Sequence, residues 1–253
     1  MDTRTSIGAD ERLTAPSAIG RAAQATTANR LLNSLAKTEL QSLLPLFDRV
    51  TLAPKQVLHH RYLPMEHVYF IESGLISVMA KIGERHWVEV WLVGSDGTTA
   101  IPVTLGDDTS PHRRVVQIAG TALRIATPDF RGLLQSNKAL REIVLKSVRL
   151  ALLQTSQSGA CNAQHSVMQR LARWLLLARD ALGSGRVPLP QQMLSRLIGV
   201  RRATISDCLQ DMEGRKLIRS SRCLVEIADT EALEAIACDC YRILKKERHR
   251  LLG

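Results

Sequence analysis

Apolar positions change their period several times along the chain. Residues 1–27 show almost no periodicity; they are rich in Ala, Thr, Ser and Arg and predict a mobile N-terminal tail. From Ala28 to Leu44, Leu31, Leu32, Leu35, Leu40 and Leu43 form the buried side of a predicted helix, which Pro45 ends or bends. From Phe47 to Ile125 the texture is β-rich. Val50–Leu52, His67–Ile71, Leu75–Ala80, His86–Val93, Val115–Ala119 and Thr121–Ala126 are separated by turn residues such as Glu72-Ser73-Gly74, Gly94 and Gly120. In one run Trp87, Glu89 and Trp91 alternate with Val88, Val90 and Leu92, the period of a strand with one packed face. Strands so spaced, with no helices between them, predict a closed antiparallel roll or jelly roll.

Helical spacing returns at Pro128. A short helix is predicted over Asp129–Gln135, and Asn137 can cap a longer one reaching about Gly159. Leu140, Val144, Val148, Ala151 and Thr155 make a narrow stripe on this helix, which predicts a seam between two copies; the other reading is packing on its own domain. An amphipathic helix follows over His165–Leu182, through Val167, Leu171, Trp174, Leu175 and Ala178, stopped by Gly183-Ser184-Gly185. Then Leu194, Leu197 and Ile198 precede Gly199, and Ile205, Leu209 and Met212 resume the helical period after it. Glycine suits a tight turn because it reaches positive φ at little steric cost. Two short helices around such a turn predict a helix-turn-helix, with Arg201, Arg202, Thr204, Asp207 and Gln210 left outward. An ordinary helical hairpin with a solvated face is the competing reading. An apolar, Arg-rich hairpin runs on to Ile227. Asp229 can cap a last helix containing Leu233, Ile236 and Ala237, and the chain ends in a basic run, Lys245–Arg250.

The fold class is therefore α+β. The predicted division is a tail (1–27), a β-roll domain (28–136), a long helix with a candidate seam (137–160) and a helix-turn-helix domain with its hairpin (161–253).

Composition sharpens this. Hydrophobic residues make up 45% of 253, enough for a core, and the formal net charge is +10. From His165 onward there are 16 Lys and Arg against 10 Asp and Glu, so basicity concentrates around the helix-turn-helix and favours an anionic partner. The five cysteines, Cys161, Cys208, Cys223, Cys238 and Cys240, are odd in number and lie in the last two-fifths, which suits free thiols in a reducing cytoplasm. No Cys-x-x-Cys occurs, and Cys238-x-Cys240 is a weak metal hint without partners at zinc spacing, so no metal site is assigned. No apolar stretch has the length of a signal core or a membrane span, and a cytoplasmic protein without a membrane partner is expected.

A β-roll, one long helix, then a winged helix-turn-helix: this order resembles the Crp/Fnr family of bacterial transcription regulators. The resemblance spans nearly the whole chain after the tail. It is most specific in residues 130–182, similar to the family's dimer helix and the first helix of its DNA-binding domain, and in the helix-turn-helix. There Leu194, Gly199, Arg202, Thr204, Ile205, Ser206, Leu209, Leu217 and Ile218 match the family pattern.

The resemblance implies a cyclic-nucleotide-binding-like β-roll as sensor domain (28–136), a dimerisation helix (137–160) and a winged helix-turn-helix domain (161–253), in a homodimer on a palindromic DNA operator. Two recognition helices would enter successive major grooves, with RNA polymerase as a further partner. It makes Arg202 the base-reading residue, able to pair bidentately with guanine. Thr204 and Ser206 become backbone or phosphate contacts, and Gln191 a phosphate contact. Arg201 and Asp207 lie on the reading face, and Lys216, Arg219 and Arg222 bring the wing to the phosphates. Ala203, where the family often has Glu, and Asp207, where it often has Arg, imply a half-site different from the family's best-known one.

At the sensor end the resemblance thins. The family's cyclic-nucleotide cassette has Glu after a glycine and Ser or Thr after an arginine; here Gly97 is followed by Thr98, and Arg113-Arg114 by Val115. A backbone nest at Gly97, Thr98 and Thr99 could still take an anion. With Arg113, Arg114, Thr155 and Ser156 it forms the candidate effector pocket, for an unknown small molecule or none. The family's iron–sulfur sensors carry N-terminal cysteines, and the first 160 residues here have none. As haem ligands, His59, His60, His67 and His86 qualify by residue type only. No cofactor is expected. Cys208, on the Arg-rich recognition helix, and Cys161, at the domain junction, are candidate redox thiols.

The alternative class is a metal-dependent enzyme of cupin type using the β-roll. It needs two histidines one residue apart, and no His-x-His exists; His59 and His60 are adjacent and point to opposite faces of a strand. No Ser-His-Asp elbow and no phosphate-binding glycine loop occurs, so no catalytic residue is assigned.

Overall fold

The computed structural model describes residues 18–20, 26–84 and 86–252. In chain order the first half holds β1 (Ala18–Gly20), α1 (Arg30–Asn33), α2 (Lys37–Leu43), β2 (Asp48–Leu52), β3 (Val57–His59), β4 (His67–Ile71), β5 (Leu75–Ile82) and β6 (His86–Val93). It continues through α3 (Ile101–Thr104), β7 (Arg113–Ile118), β8 (Gly120–Ala126) and α4 (Thr127–Ser136). The second half holds α5 (Lys138–Gln164), α6 (Val167–Leu182), β9 (Arg186–Val187), α7 (Gln191–Ile198), α8 (Arg202–Gly214), β10 (Ile218–Ser221), β11 (Leu224–Ile227), α9 (Thr230–Ile236) and α10 (Cys240–Leu252).

Two antiparallel sheets, ordered β1-β2-β8-β4 and β3-β7-β5-β6, form the predicted roll. Val50, Ile71, Ile76, Val78, Val116 and Ala122 fill the space between them. A second core, with Leu31, Leu44, Phe47, Phe70, Phe130, Leu140 and Val144, seats α1, α2, α4 and the start of α5 against the roll.

Three local readings change. The helix expected over Ala28–Leu44 is two helices. Asn29 caps the first, accepting from Leu32 N at 2.9 Å, while its Nδ2 donates to Ile71 O at 2.7 Å and Gly97 O at 3.0 Å. That pins the start to the roll, and the chain must turn at Ser34 to reach the second helix. Residues 18–20, expected in the tail, pair with β2, and Thr27 is buried, its hydroxyl donating to Glu72 at 2.8 Å; most of the predicted tail lies outside the described residues. The long helix runs through Gly159 to Gln164. Gly159 is exposed and helical, and the stop comes instead from Ser166, whose capping box with Gln169 starts α6.

The stripe expected to form a seam is largely covered within the chain. Leu140, Val144 and Val148 are 0%, 0% and 7% exposed, packed within the chain rather than left for a second copy. The outward face of α5 carries Leu145, Arg149, Leu152, Ser156, Gly159 and Ala163, all exposed and spaced alternately four and three apart. Leu145 and Leu152 are among the few large apolar side chains left in water.

The halves share one continuous core. Leu75, Met79, Leu92 and Ile118 of the roll pack with Leu171, Trp174, Leu175 and Ala178 of α6. Gly94 makes the contact possible, because a Cβ there would lie 2.4 Å from Ala181 Cβ. Helix α10, absent from the expectations, lies along α5 and returns to the roll, where Arg248 Nε meets Asp96 at 2.7 Å.

Candidate nucleic-acid interface

Helix α7 starts after Pro190 and ends at Gly199, which adopts φ +76° and lets the chain turn into α8. Leu194, Leu197, Ile198, Ile205, Leu209 and Met212 are buried, so the motif's apolar side is spent on its own core. Glu213 fastens the wing to α8, accepting from Ser220 N and Oγ, both at 2.9 Å. Strands β10, β11 and β9 form the small wing sheet, with Arg222 and Cys223 at the hairpin turn.

Arg201, Arg202, Ala203, Asp207 and Gln210 are exposed, and Thr204 is half-buried. Arg201 and Arg202 have no ion pair with any described residue, which leaves both guanidinium groups available. Lys216, Arg219 and Arg222 are exposed on or beside the wing. The cleft between α7 and the β5–β6 flap adds Lys55, Arg113 and Arg196 near Arg201. Gln191 and Ser206 do something sequence reasoning did not find: Ser206 Oγ donates to Gln191 Oε1 at 2.9 Å, tying α7 to α8.

Cys208 departs from its redox reading. It is buried in the motif's core, and burial together with Asp207 and Asp211 pushes its thiol up, away from a thiolate. The charges acting on the sulfur are the negative ones of Asp207 and Asp211.

The candidate effector residues do not converge. Thr98 Oγ1 donates to Tyr69 O at 2.9 Å, and Thr99 Oγ1 accepts from Tyr69 N at 3.0 Å. Gly97 N donates to Gly94 O at 3.0 Å and Thr99 N to Tyr69 O at 2.9 Å, so these nest donors are spent within the roll. Thr155 and Ser156 bond back to their own helix. Arg113 lies over Trp87, its guanidinium carbon 3.8 Å from the ring centre. Arg114 is 1% exposed, and desolvation lowers its pKa to about 10. Gly97 and Thr98 border a cavity of only about 50 Å³, closed by Leu244 and Arg248 of α10. That is room for a few waters, not for a nucleotide.

His59, weighed for the enzyme reading, is buried with Nε2 2.8 Å from His67 O, and burial followed by the Arg114 charge depresses its pKa to about 3. It is a neutral core histidine, and among the described residues no group of three potential ligands forms around it. One such group forms elsewhere, at Cys161, His165, Cys238 and Cys240.

A β-roll joined by one long helix to a winged helix-turn-helix with an exposed arginine face defines a DNA-binding transcription regulator. Residues 169–236 match the family model of the Crp-like helix-turn-helix domain. Solved structures with the same fold include the c-di-GMP-responsive global regulator CLP of Xanthomonas campestris (17% identity, 76% of this chain and 99% of that one, TM-score 0.62). FixK2 of Bradyrhizobium japonicum matches at 11% identity over 76% and 98% with TM-score 0.66. A CRP-family transcriptional regulator of Thermus thermophilus matches at 18% over 74% and 95% with TM-score 0.61. No curated protein sequence matches the chain. Residues 169–236 thus carry a Crp-like helix-turn-helix domain, and the chain shares the fold of Crp/Fnr-type transcription regulators, the family its sequence resembles. No helix among the described residues is long and apolar enough to cross a membrane.

Proposed function

We propose that the protein is a homodimeric, sequence-specific DNA-binding regulator in which α8 reads the major groove and the wing grips the phosphates. The observation that carries this reading is the exposed face of α8, where Arg202 stands at the helix start with no ion pair to a described residue while Ile205, Leu209 and Met212 on the opposite face are buried in the core. Arg202 pairs with a guanine; Asp207 and Ala203 shape the rest of the half-site. Lys216, Arg219 and Arg222 neutralise phosphates. Selecting bound sequences from random duplex DNA tests this directly. A palindromic motif, with affinity falling steeply as salt rises, is expected. Recovery of no motif would sink it.

Arg202→Ala should relax preference at one base of each half-site by about 1–3 kcal/mol, leaving the other positions readable. Equal loss across all sequences would reassign Arg202 to phosphate binding.

The dimer forms through the outward face of α5. Leu145, Leu152, Gly159 and Ala163 give a stripe of heptad spacing with small residues at its C-terminal end, which favours close approach of two helices. Leu152→Glu places a charge in that seam. Sedimentation should then shift the protein to monomer, and its affinity for the full palindrome should fall towards that for a half-site. A Leu152→Glu protein that stays dimeric would place the interface elsewhere.

A further inference from the structure

Beyond DNA binding, the far end of α5 assembles a group of side chains that neither the helix-turn-helix nor the β-roll uses. Cys161 lies in the last turn of α5, and His165 is the residue that caps its C-terminus, its backbone N donating to Cys161 O at 3.0 Å. Cys238 lies in the connection after α9, and Cys240 opens α10. The one ligand atom each offers, three sulfurs and one imidazole nitrogen, lies within 4.8 Å of all the others. Cys161 Sγ is 3.4 Å from Cys238 Sγ, and Cys240 Sγ is 3.6 Å from His165 Nδ1. Bond lengths of about 2.0–2.3 Å in a tetrahedral zinc site give ligand-to-ligand edges of roughly 3.3–3.8 Å. Two of the six edges already stand at that spacing, and the remaining ligand atoms lie within 4.8 Å of one another, close enough to shut on one ion. A polynuclear iron–sulfur cluster would bind its cysteines through different iron atoms and spread them further apart.

We propose that Cys161, His165, Cys238 and Cys240 bind a single Zn²⁺ ion in a tetrahedral Cys₃His site. Three thiolates and one imidazole suit zinc over the oxygen-seeking cations, and the thiol protons are released to solvent as the metal binds. The surroundings fit. Cys161, Cys238 and Cys240 are 0%, 4% and 2% exposed, so the site is closed, as a structural one is. Gln157 Nε2 donates to Cys240 Sγ at 3.1 Å, an outer hydrogen bond of the kind that orients a ligating thiolate. Three thiolates around Zn²⁺ leave one negative charge. Arg173 of α6 is buried, makes no ion pair with a described residue, and is close enough to act electrostatically on Cys161. Its neighbour Arg170 acts on Cys161 as well.

The ion would clasp two parts of the chain separated by more than seventy residues. One side is the end of the long helix, just before the chain turns into the DNA-binding domain; the other is the start of α10, which runs back to the roll. The clasp would tie the end of α5 to the start of α10, beside the turn into the DNA-binding half.

The test uses the full chain, purified under reducing conditions from zinc-supplemented medium. Elemental analysis should find about one zinc per chain. Co²⁺ titrated into the chelator-stripped, reduced protein should give thiolate-to-metal charge-transfer bands and the intense visible bands of a tetrahedral ion. Zn²⁺ should then displace it. Cys238→Ser and Cys240→Ser should lose or weaken that spectrum, whereas Cys223→Ser, at the exposed wing turn, should keep it. Chelation should lower the thermal unfolding midpoint of the parent but not of Cys238→Ser. The wild-type titration stands even if a variant misfolds. The proposal is overturned by a reduced wild-type chain that binds neither metal, by a weak octahedral Co²⁺ spectrum, or by full zinc retention in a Cys161→Ser, Cys238→Ser double variant. A Cys161–Cys238 disulfide formed in place of metal in the reduced preparation would overturn it equally.

Discussion

Trp174→Ala is expected to destabilise the protein by about 3–5 kcal/mol, the cost of emptying a large aromatic site in a core. Trp174 is 3% exposed and sits where α6 meets the roll, in the same core as Leu75, Met79, Leu92 and Ile118. Its indole Nε1 donates to Glu89 Oε1 at 2.7 Å across the domain boundary. Truncation therefore leaves both a cavity and a carboxylate with one donor fewer. Trp174→Phe separates the two effects: it keeps most of the apolar volume and loses the donor, with an expected cost of about 1–3 kcal/mol. Denaturant unfolding checks both. A cost below about 1 kcal/mol for alanine would mean that α6 and the roll are not one cooperative unit.

What the sequence disclosed follows from which structures are local. The strand His86–Val93 and the caps at Asn137 and Asp229 are written in neighbouring residues, and Gly199 marks its own turn. The seam stripe was misassigned because periodicity finds the apolar face of a helix without saying what covers it. On α5 the more apolar face, with Leu140 and Val144, belongs to the roll, and the sparser one, with Leu145 and Leu152, is left outside. The effector pocket failed for a related reason. The nest at Gly97, Thr98 and Thr99 was read for its backbone donors, but Gly97 N is taken by Gly94 O and Thr99 N by Tyr69 O on another strand. The cysteine group is the extreme case. Cys161 and Cys238 are 77 positions apart, and only the folding of α10 along α5 brings them to 3.4 Å. The one local signal was the pairing of Cys161-x₃-His165 with Cys238-x-Cys240, each half too short to suggest the other.

Glu89 predicts a pH dependence confined to the same boundary. As a residue it is only part-buried, but its carboxylate turns away from water into the interface, accepting hydrogen bonds from Ser77 and Trp174. Desolvation dominates those bonds and the Arg173 charge, and raises its pKa to about 7. Unfolded, the same group titrates near 4.5. Between these values the folded chain holds a proton that the unfolded chain has lost. Stability therefore falls as pH rises from about 4.5 to about 7, by up to about 3 kcal/mol, and is flat above. His59 works in the opposite sense. Its folded pKa of about 3 lies below its ordinary 6.5, so its contribution to stability rises with pH across that interval and masks Glu89 in the raw profile. The informative quantity is the difference between the parent and Glu89→Gln, because glutamine mimics the protonated acid at every pH. The parent should match the variant near pH 4.5 and fall below it by pH 7.5. Parallel profiles would show that Glu89 is solvated and that acidity does not tighten the contact between the roll and the DNA-binding half.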